Sequence, residues 1–389
     1  MSSMELTDIL LHLGETEEFQ GTPGSPTLYQ TSNFVFKSVD GMAHALQREN
    51  EVPFYTRGTN PTVQKLQKKL AALENMEEAL VVASGSAAAA IAVLANVKSG
   101  DHILSVSKPY SWTGKLMNQH LPSMGITTTL SEAKNTASFL SKVQSNTKII
   151  YLESPNSWTY EMQDLEAISK FARERGIITI LDNSYATPLM QRSGDYGIDL
   201  VLHSATKYIN GHSDVVAGIL CGGREKIQKI FSTTYMTLGP AISPFDAWMM
   251  IRSLRTLPIR LKQIGSTTEK VLKFLDGHDK IKKVYHPKSK HYDQKDLADR
   301  YLQGVGGLLT IDLATDDIEK IKGFSNQLKK FKLGCSWGSF ESLAFPAITI
   351  ASSMNYDNPD IAVERVRLSI GLDEYSILIE DLEQALATI

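Results

Sequence analysis

Cysteine is nearly absent from this 389-residue sequence: only Cys221 and Cys335 occur, far apart in the chain. That usage excludes a disulfide scaffold and fits a reducing compartment, so a cytoplasmic protein is expected. No apolar run is long enough to cross a bilayer. The opening stretch MSSMELTDILLHLGETEEF lacks a basic segment followed by a sustained apolar core, so no signal peptide is expected. Neither sign of charge dominates, with Lys+Arg 40 against Asp+Glu 43 and a net charge of −3. There is no basic block for nucleic acid and no polybasic amphipathic stretch for a membrane surface, and neither partner is expected. GxGxxG, P-loop and HExxH motifs are missing, and the nine histidines do not pair with the two cysteines at ligand spacing. A dinucleotide or a structural metal is therefore disfavoured, and no metal is expected. No internal repeat, low-complexity tract or tether-like linker interrupts the chain.

Hydrophobic residues make up 42% of the sequence, enough for a sizeable core and for more than one domain. Residues 1–58 are rich in Gly, Thr and Ser and read as an extended N-terminal arm. At NPTVQKLQKKLAALENM a helix is predicted, with Asn60 as N-cap, Pro61 in the first helical position and Val63, Leu66, Leu70 and Leu73 forming one apolar stripe. Strand-like runs follow (EEALVVAS, HILSV, ITTTL, KIIYLES, IITILD, DLVLHS, VVAGILCG), alternating with helical patterns such as SAAAAIAVLANV and LEAISKFARERG. This predicts an α/β domain over residues 59–242, with a mostly parallel central sheet covered by helices on both faces. Ligands bind such sheets outside the carboxyl ends of the strands. After about Pro240 the texture changes. SPFDAWMMIRSLRTLPIRLKQ reads as one long helical pattern, and residues 243–389 read as a smaller C-terminal α+β domain.

Three stretches at strand ends carry possible chemistry. In ASGSAAAA, Gly85 permits close backbone approach and a helix starts at Ser86, where free N–H groups and the positive dipole end favour an anion. An ordinary capped helix accounts for the same residues. In ILDNSYATP, Asp182 ends an apolar strand; it can cap the next turn, or pair as a buried carboxylate with a protonated heterocycle nitrogen. In HSATKYINGHSD, Lys207 is flanked by the hydroxyls of Ser204 and Thr206, which suit phosphate oxygens. Burial and nearby cations favour the neutral amine that a Schiff base requires. A phosphate-binding helix start, a strand-end Asp and a hydroxyl-flanked Lys together describe a pyridoxal-phosphate site.

SATKYINGHSD, YTRGTNPT (Tyr55 to Thr62), LDNSYATP and VRLSIGL also resemble the Cys/Met-metabolism branch of fold-type-I pyridoxal-phosphate enzymes, in the right order and with similar spacing. The resemblance runs from about Gly14 to the C-terminus. It implies that Lys207 binds the cofactor covalently and then carries protons, and that Asp182 keeps the pyridine nitrogen protonated. Gly85, Ser86, Ser204 and Thr206 would hold the phosphate, and Tyr110 would stack on the ring. Arg367, with Ser336, would grip the α-carboxylate of an amino-acid substrate, a task suited to a guanidinium. Tyr55 and Arg57 would reach the phosphate of a neighbouring subunit, which implies a homo-oligomer, commonly a tetramer built as a dimer of dimers. One stretch departs from the family pattern. Its ESPTNP-type turn is here ESPNSW, so Ser157 takes the place of an asparagine near the cofactor and Asn156 comes one place early.

Three positions lean toward cystathionine β-lyase. The residue before Ser336 is Cys335, where the γ-synthases and cystathionine γ-lyases tend to carry Glu. Trp337 follows the serine, and Phe54 precedes Tyr55 where γ-specific enzymes often carry an acid. Against the lean, Gly58 stands where bacterial β-lyases usually have a second arginine. Methionine γ-lyases have a cysteine at the position of Trp112, which disfavours that activity. Trp112 and Trp337 are either pocket walls or core aromatics. The alternatives on the same scaffold are cystathionine γ-synthase, γ-lyase or O-acyl-homoserine sulfhydrylase.

Overall fold

A computed structural model describes residues 1–14, 23–351, 353 and 361–389. The arm is less extended than its composition suggests. Helices Ser3–Leu11 and Val39–Gln47 form within it, because Ser2 and Ser38 accept hydrogen bonds from the Glu5 and Gly41 N–H groups and cap each first turn. Residues 15–22 of the arm lie outside the described residues. Asn60 caps the helix Pro61–Glu74 as predicted, accepting from Thr62 N at 2.9 Å. Its amide also donates to the Tyr29 carbonyl, which ties the arm to the body.

Seven strands make the central sheet: β1 (Glu78–Val82), β2 (His102–Val106), β3 (Thr127–Ser131), β4 (Thr147–Glu153), β5 (Ile178–Asp182), β6 (Leu200–Ser204) and β7 (Gly218–Gly222). Their order is β1-β7-β6-β5-β4-β2-β3. Strands β2 to β6 pair in parallel, whereas β7 runs antiparallel to both neighbours. Periodicity alone does not distinguish these cases, because a strand buried on both faces is apolar throughout in either direction. Direction is decided by the connection, and the segment after β6 folds straight back without a crossover helix. That segment carries Lys207. Leu152, Leu181 and Val201 pack on one face, and Ile149, Tyr151, Ile180 and Leu202 on the other.

The stretch after Pro240 is two helices rather than one, Pro244–Leu254 and Leu257–Leu275. Pro258 has no N–H donor and therefore belongs in a first turn, so the chain restarts its helix there. The smaller sheet has five strands: β8 (Ile281–Tyr285), β9 (Leu308–Leu313), β10 (Lys332–Leu333), β11 (Leu343–Pro346) and β12 (Arg365–Ser369), ordered β10-β11-β12-β9-β8. Leu309, Ile311, Val366 and Leu368 pack in one core with Leu378 and Leu382 of the last helix, Tyr375–Leu386. This is the α/β architecture with a smaller α+β unit that the sequence predicts. Among the described residues, no helix is long and apolar enough to cross a membrane.

Candidate active site

The carboxyl ends of β4, β5 and β6 bring the suspected residues together. Ser84 caps the helix Gly85–Leu94 by accepting from Ala87 N at 3.1 Å, so the first turn presents its remaining N–H groups beside the end of β6. Gly85 is required for that approach: a Cβ there would lie 2.8 Å from the Ser204 Cβ. Gly218 on β7 is equally constrained, since its Cβ would meet the Ser84 carbonyl oxygen at 2.1 Å. Ser86 is exposed and shares a cleft of about 310 Å³ with Tyr110, Trp112 and Thr113. The Thr206 hydroxyl accepts a hydrogen bond from Ala217 N at 3.0 Å, which locks the turn that carries Lys207.

Asp182 ends β5 in a buried position and accepts from Ser184 N at 3.0 Å. Burial holds its pKa above the ordinary carboxylate value, while the Ser184 hydrogen bonds and then the nearby His203 and Lys207 charges pull the other way. Lys207 donates from Nζ to the Ser336 hydroxyl at 3.0 Å, and Nζ lies 5.5 Å from the centre of the Trp337 ring. Burial, then the neighbouring Arg367 charge, lowers its pKa to about 8. Capture of pyridoxal phosphate by the apoprotein is therefore expected to accelerate as pH rises, with a midpoint near 8. An unperturbed lysine would keep gaining rate toward about 10.4. Stopped-flow absorbance across pH 6.5–10 checks this. A midpoint close to the ordinary lysine value would show that the amine is not desolvated.

Arg367, buried on β12, donates from Nη2 to the Cys335 carbonyl at 2.8 Å, so it stands directly beside the Ser336 that binds Lys207. Trp337 is buried with its ring edge-on to Tyr208, at 5.4 Å between centroids. It is thus both a core aromatic and a neighbour of the lysine. Trp112 is exposed and lines the cleft. Phe54 stacks on Phe36. In the single chain, Tyr55 and Arg57 are exposed, with the guanidinium carbon 5.3 Å from the Tyr55 ring centre.

The departing turn has a physical explanation. Asn156 is buried, donates from its amide to the Lys108 carbonyl at 2.7 Å and accepts from the Trp158 and Thr159 N–H groups. It is consumed in holding the turn, and Ser157 is half-buried beside it. The residue that sequence reasoning missed is Glu153. It ends β4 in register with Asp182, and its two oxygens accept from Tyr110 N at 2.7 Å and Ser157 N at 2.9 Å. Burial and then repulsion from Asp182 raise its pKa. The available signal was position: like Asp182, Glu153 is a carboxylate ending an apolar strand.

This donor set fits pyridoxal phosphate. A helix start opens onto a glycine-allowed contact with Ser204, a carboxylate lies buried at the neighbouring strand end, and a lysine is made nucleophilic by its surroundings. Comparison with known proteins agrees. Residues 7–387 match the family model described as Cys/Met metabolism PLP-dependent enzyme. The chain is 33% identical to an L-methionine gamma-lyase of Fusobacterium nucleatum, covering 100% of both chains. It is 30% identical to a cystathionine gamma-lyase of Bacillus subtilis, covering 99% of this chain and 100% of that one. A solved structure from Campylobacter jejuni superposes with a TM-score of 0.91 at 26% identity, covering 98% of this chain and 99% of that one. That protein is assigned as an O-acetylhomoserine (thiol)-lyase, and its structure carries N'-pyridoxyl-lysine-5'-monophosphate.

Proposed function

Because the chain belongs to the Cys/Met metabolism PLP-dependent enzymes, a family of lyases and synthases, we propose that it is a carbon–sulfur lyase performing α,β-elimination on L-cystathionine or a similar cysteine thioether. Pyridoxal phosphate, when bound, supplies the electron sink that makes the substrate's α-proton removable. The chain's own groups do the rest. Lys207 Nζ anchors the cofactor and then moves the proton at the α-carbon. Ser336 receives the Lys207 hydrogen bond and orients the amine. Asp182 holds a proton on the pyridine nitrogen. The Gly85–Ser86 helix start, Ser204 and Thr206 hold the phosphate, joined by Tyr55 and Arg57 of a neighbouring subunit in a homo-oligomer. Tyr110 and Ser157 would help hold the ring. Arg367 takes the α-carboxylate, and Trp337 bounds the substrate. Overall, L-cystathionine and water give homocysteine, pyruvate and ammonia.

One observation carries the choice of β chemistry. Lys207 is the amine poised beside Ser336, and the adjacent residue is Cys335 rather than a carboxylate. γ chemistry needs a second deprotonation, at the β-carbon, and this position offers no acidic side chain to assist it. A γ-elimination is the second reading, favoured by the names of the Fusobacterium and Bacillus relatives. The holoenzyme with L-cystathionine is expected to release pyruvate and homocysteine. Release of 2-oxobutanoate and cysteine would establish γ-elimination instead. Absence of any keto acid would point to a replacement reaction.

A further inference from the structure

The departing turn ESPNSW places a tryptophan where the family turn has proline, and the structure brings that side chain to the candidate carboxylate grip. The Arg367 guanidinium carbon lies 4.5 Å from the Trp158 ring centre and 5.3 Å from the Phe345 ring centre. The two rings are 5.7 Å apart and tilted by 45°, so they form an aromatic corner around the cation. Each member is held independently. Phe345 is the direct cross-strand partner of Arg367 in the β11–β12 pair. Trp158 is set by its backbone, whose N–H donates to Asn156 Oδ1 at 2.9 Å within the rigid turn. Arg367 is only 7% exposed, so water does little to orient its fork.

We propose that Trp158 is a positioning residue for recognition of the substrate's α-carboxylate. Its indole face fixes the plane of the Arg367 guanidinium, with the Cys335 carbonyl holding one amino group from the edge. A planar, weakly hydrated cation packs well on a π-face, and a fork held in one plane loses less freedom when it receives a carboxylate. The inference rests on the reading that Arg367 binds that carboxylate. It adds that the turn following β4, rather than β12 alone, tunes affinity for amino acids.

The test compares wild-type holoenzyme with Trp158→Phe, Trp158→Leu, Trp158→Ala and Arg367→Leu. Each is titrated with glycine and with methylamine, which has the amine but no carboxylate, and followed by calorimetry and cofactor absorbance. Thermal melts verify folding. Glycine binding is expected to weaken about tenfold in Trp158→Leu and Trp158→Ala and to stay within about twofold in Trp158→Phe, with methylamine binding unchanged throughout. Full rescue by Leu would overturn the π-face role, because bulk alone would then suffice. Equal losses for glycine and methylamine would reduce Trp158 to a structural residue. If Arg367→Leu weakens glycine and Trp158→Ala does not, the inference fails while the carboxylate grip stands. If Arg367→Leu leaves glycine binding intact, the underlying reading itself has failed.

Discussion

Lys207→Ala is expected to lower turnover by at least about a thousandfold while leaving the fold intact. The backbone at this position is secured without the side chain: Lys207 N donates to the Ser204 carbonyl at 3.1 Å, and the Lys207 carbonyl accepts from Gly211 N at 2.8 Å. Beyond Cβ, the side chain is a desolvated amine whose charged form is disfavoured by burial and by Arg367. Its removal therefore relieves an electrostatic cost rather than creating one. The assay is paired with borohydride reduction and peptide-mapping mass spectrometry. Wild type should retain a cofactor adduct on the peptide containing Lys207, and the variant should retain none. An active variant, or an adduct on another lysine, would remove Lys207 from the centre of the chemistry.

Asp182→Asn separates catalysis from stability. The amide keeps the shape and can still accept from Ser184 N, so the local hydrogen bond of 3.0 Å survives. What disappears is the buried charge that, in the proposed role, keeps a pyridine nitrogen protonated, and kcat is expected to fall by about 10²–10³. The sign of the stability effect follows from linkage. Burial raises the carboxyl's pKa in the folded state, so as pH rises the unfolded chain releases this proton first and the native state loses stability. At neutral pH the apo form of Asp182→Asn should therefore melt no lower than wild type. Any gain should shrink as pH falls through the raised folded-state value toward the ordinary carboxylate range, and vanish below that range. Thermal melts of both apoproteins at pH 5 and 7.5 measure this. A variant destabilised at neutral pH would mean that the Asp182 charge is compensated in the empty fold.

Much of this site was legible because its pieces are local. A capped helix start at Ser84–Ser86 is a property of contiguous residues, as is a carboxylate ending an apolar strand at Asp182 or a lysine between hydroxyls at Lys207. Glu153 carries the same local signature as Asp182. Its bonds to Tyr110 N and Ser157 N, however, depend on how two loops settle above the sheet. The break between Pro244–Leu254 and Leu257–Leu275 was foreshadowed by Pro258, yet the apolar pattern continues across it. Caps within the arm were likewise visible as Ser2 and Ser38, but a composition rich in Gly, Thr and Ser obscured them.

By itself, the sequence determined the alternation of strands and helices and the local placement of the candidate lysine, the strand-end acid and the capped helix start. Each depends on hydrogen bonds and periodicities that span a few residues. Only the tertiary structure decided that β7 inserts antiparallel between β1 and β6, and that Lys207 Nζ meets Ser336. It alone brought Trp158 against Arg367. Those contacts join segments far apart in the chain. Their geometry follows from which apolar faces must be buried against each other, and no local pattern encodes that.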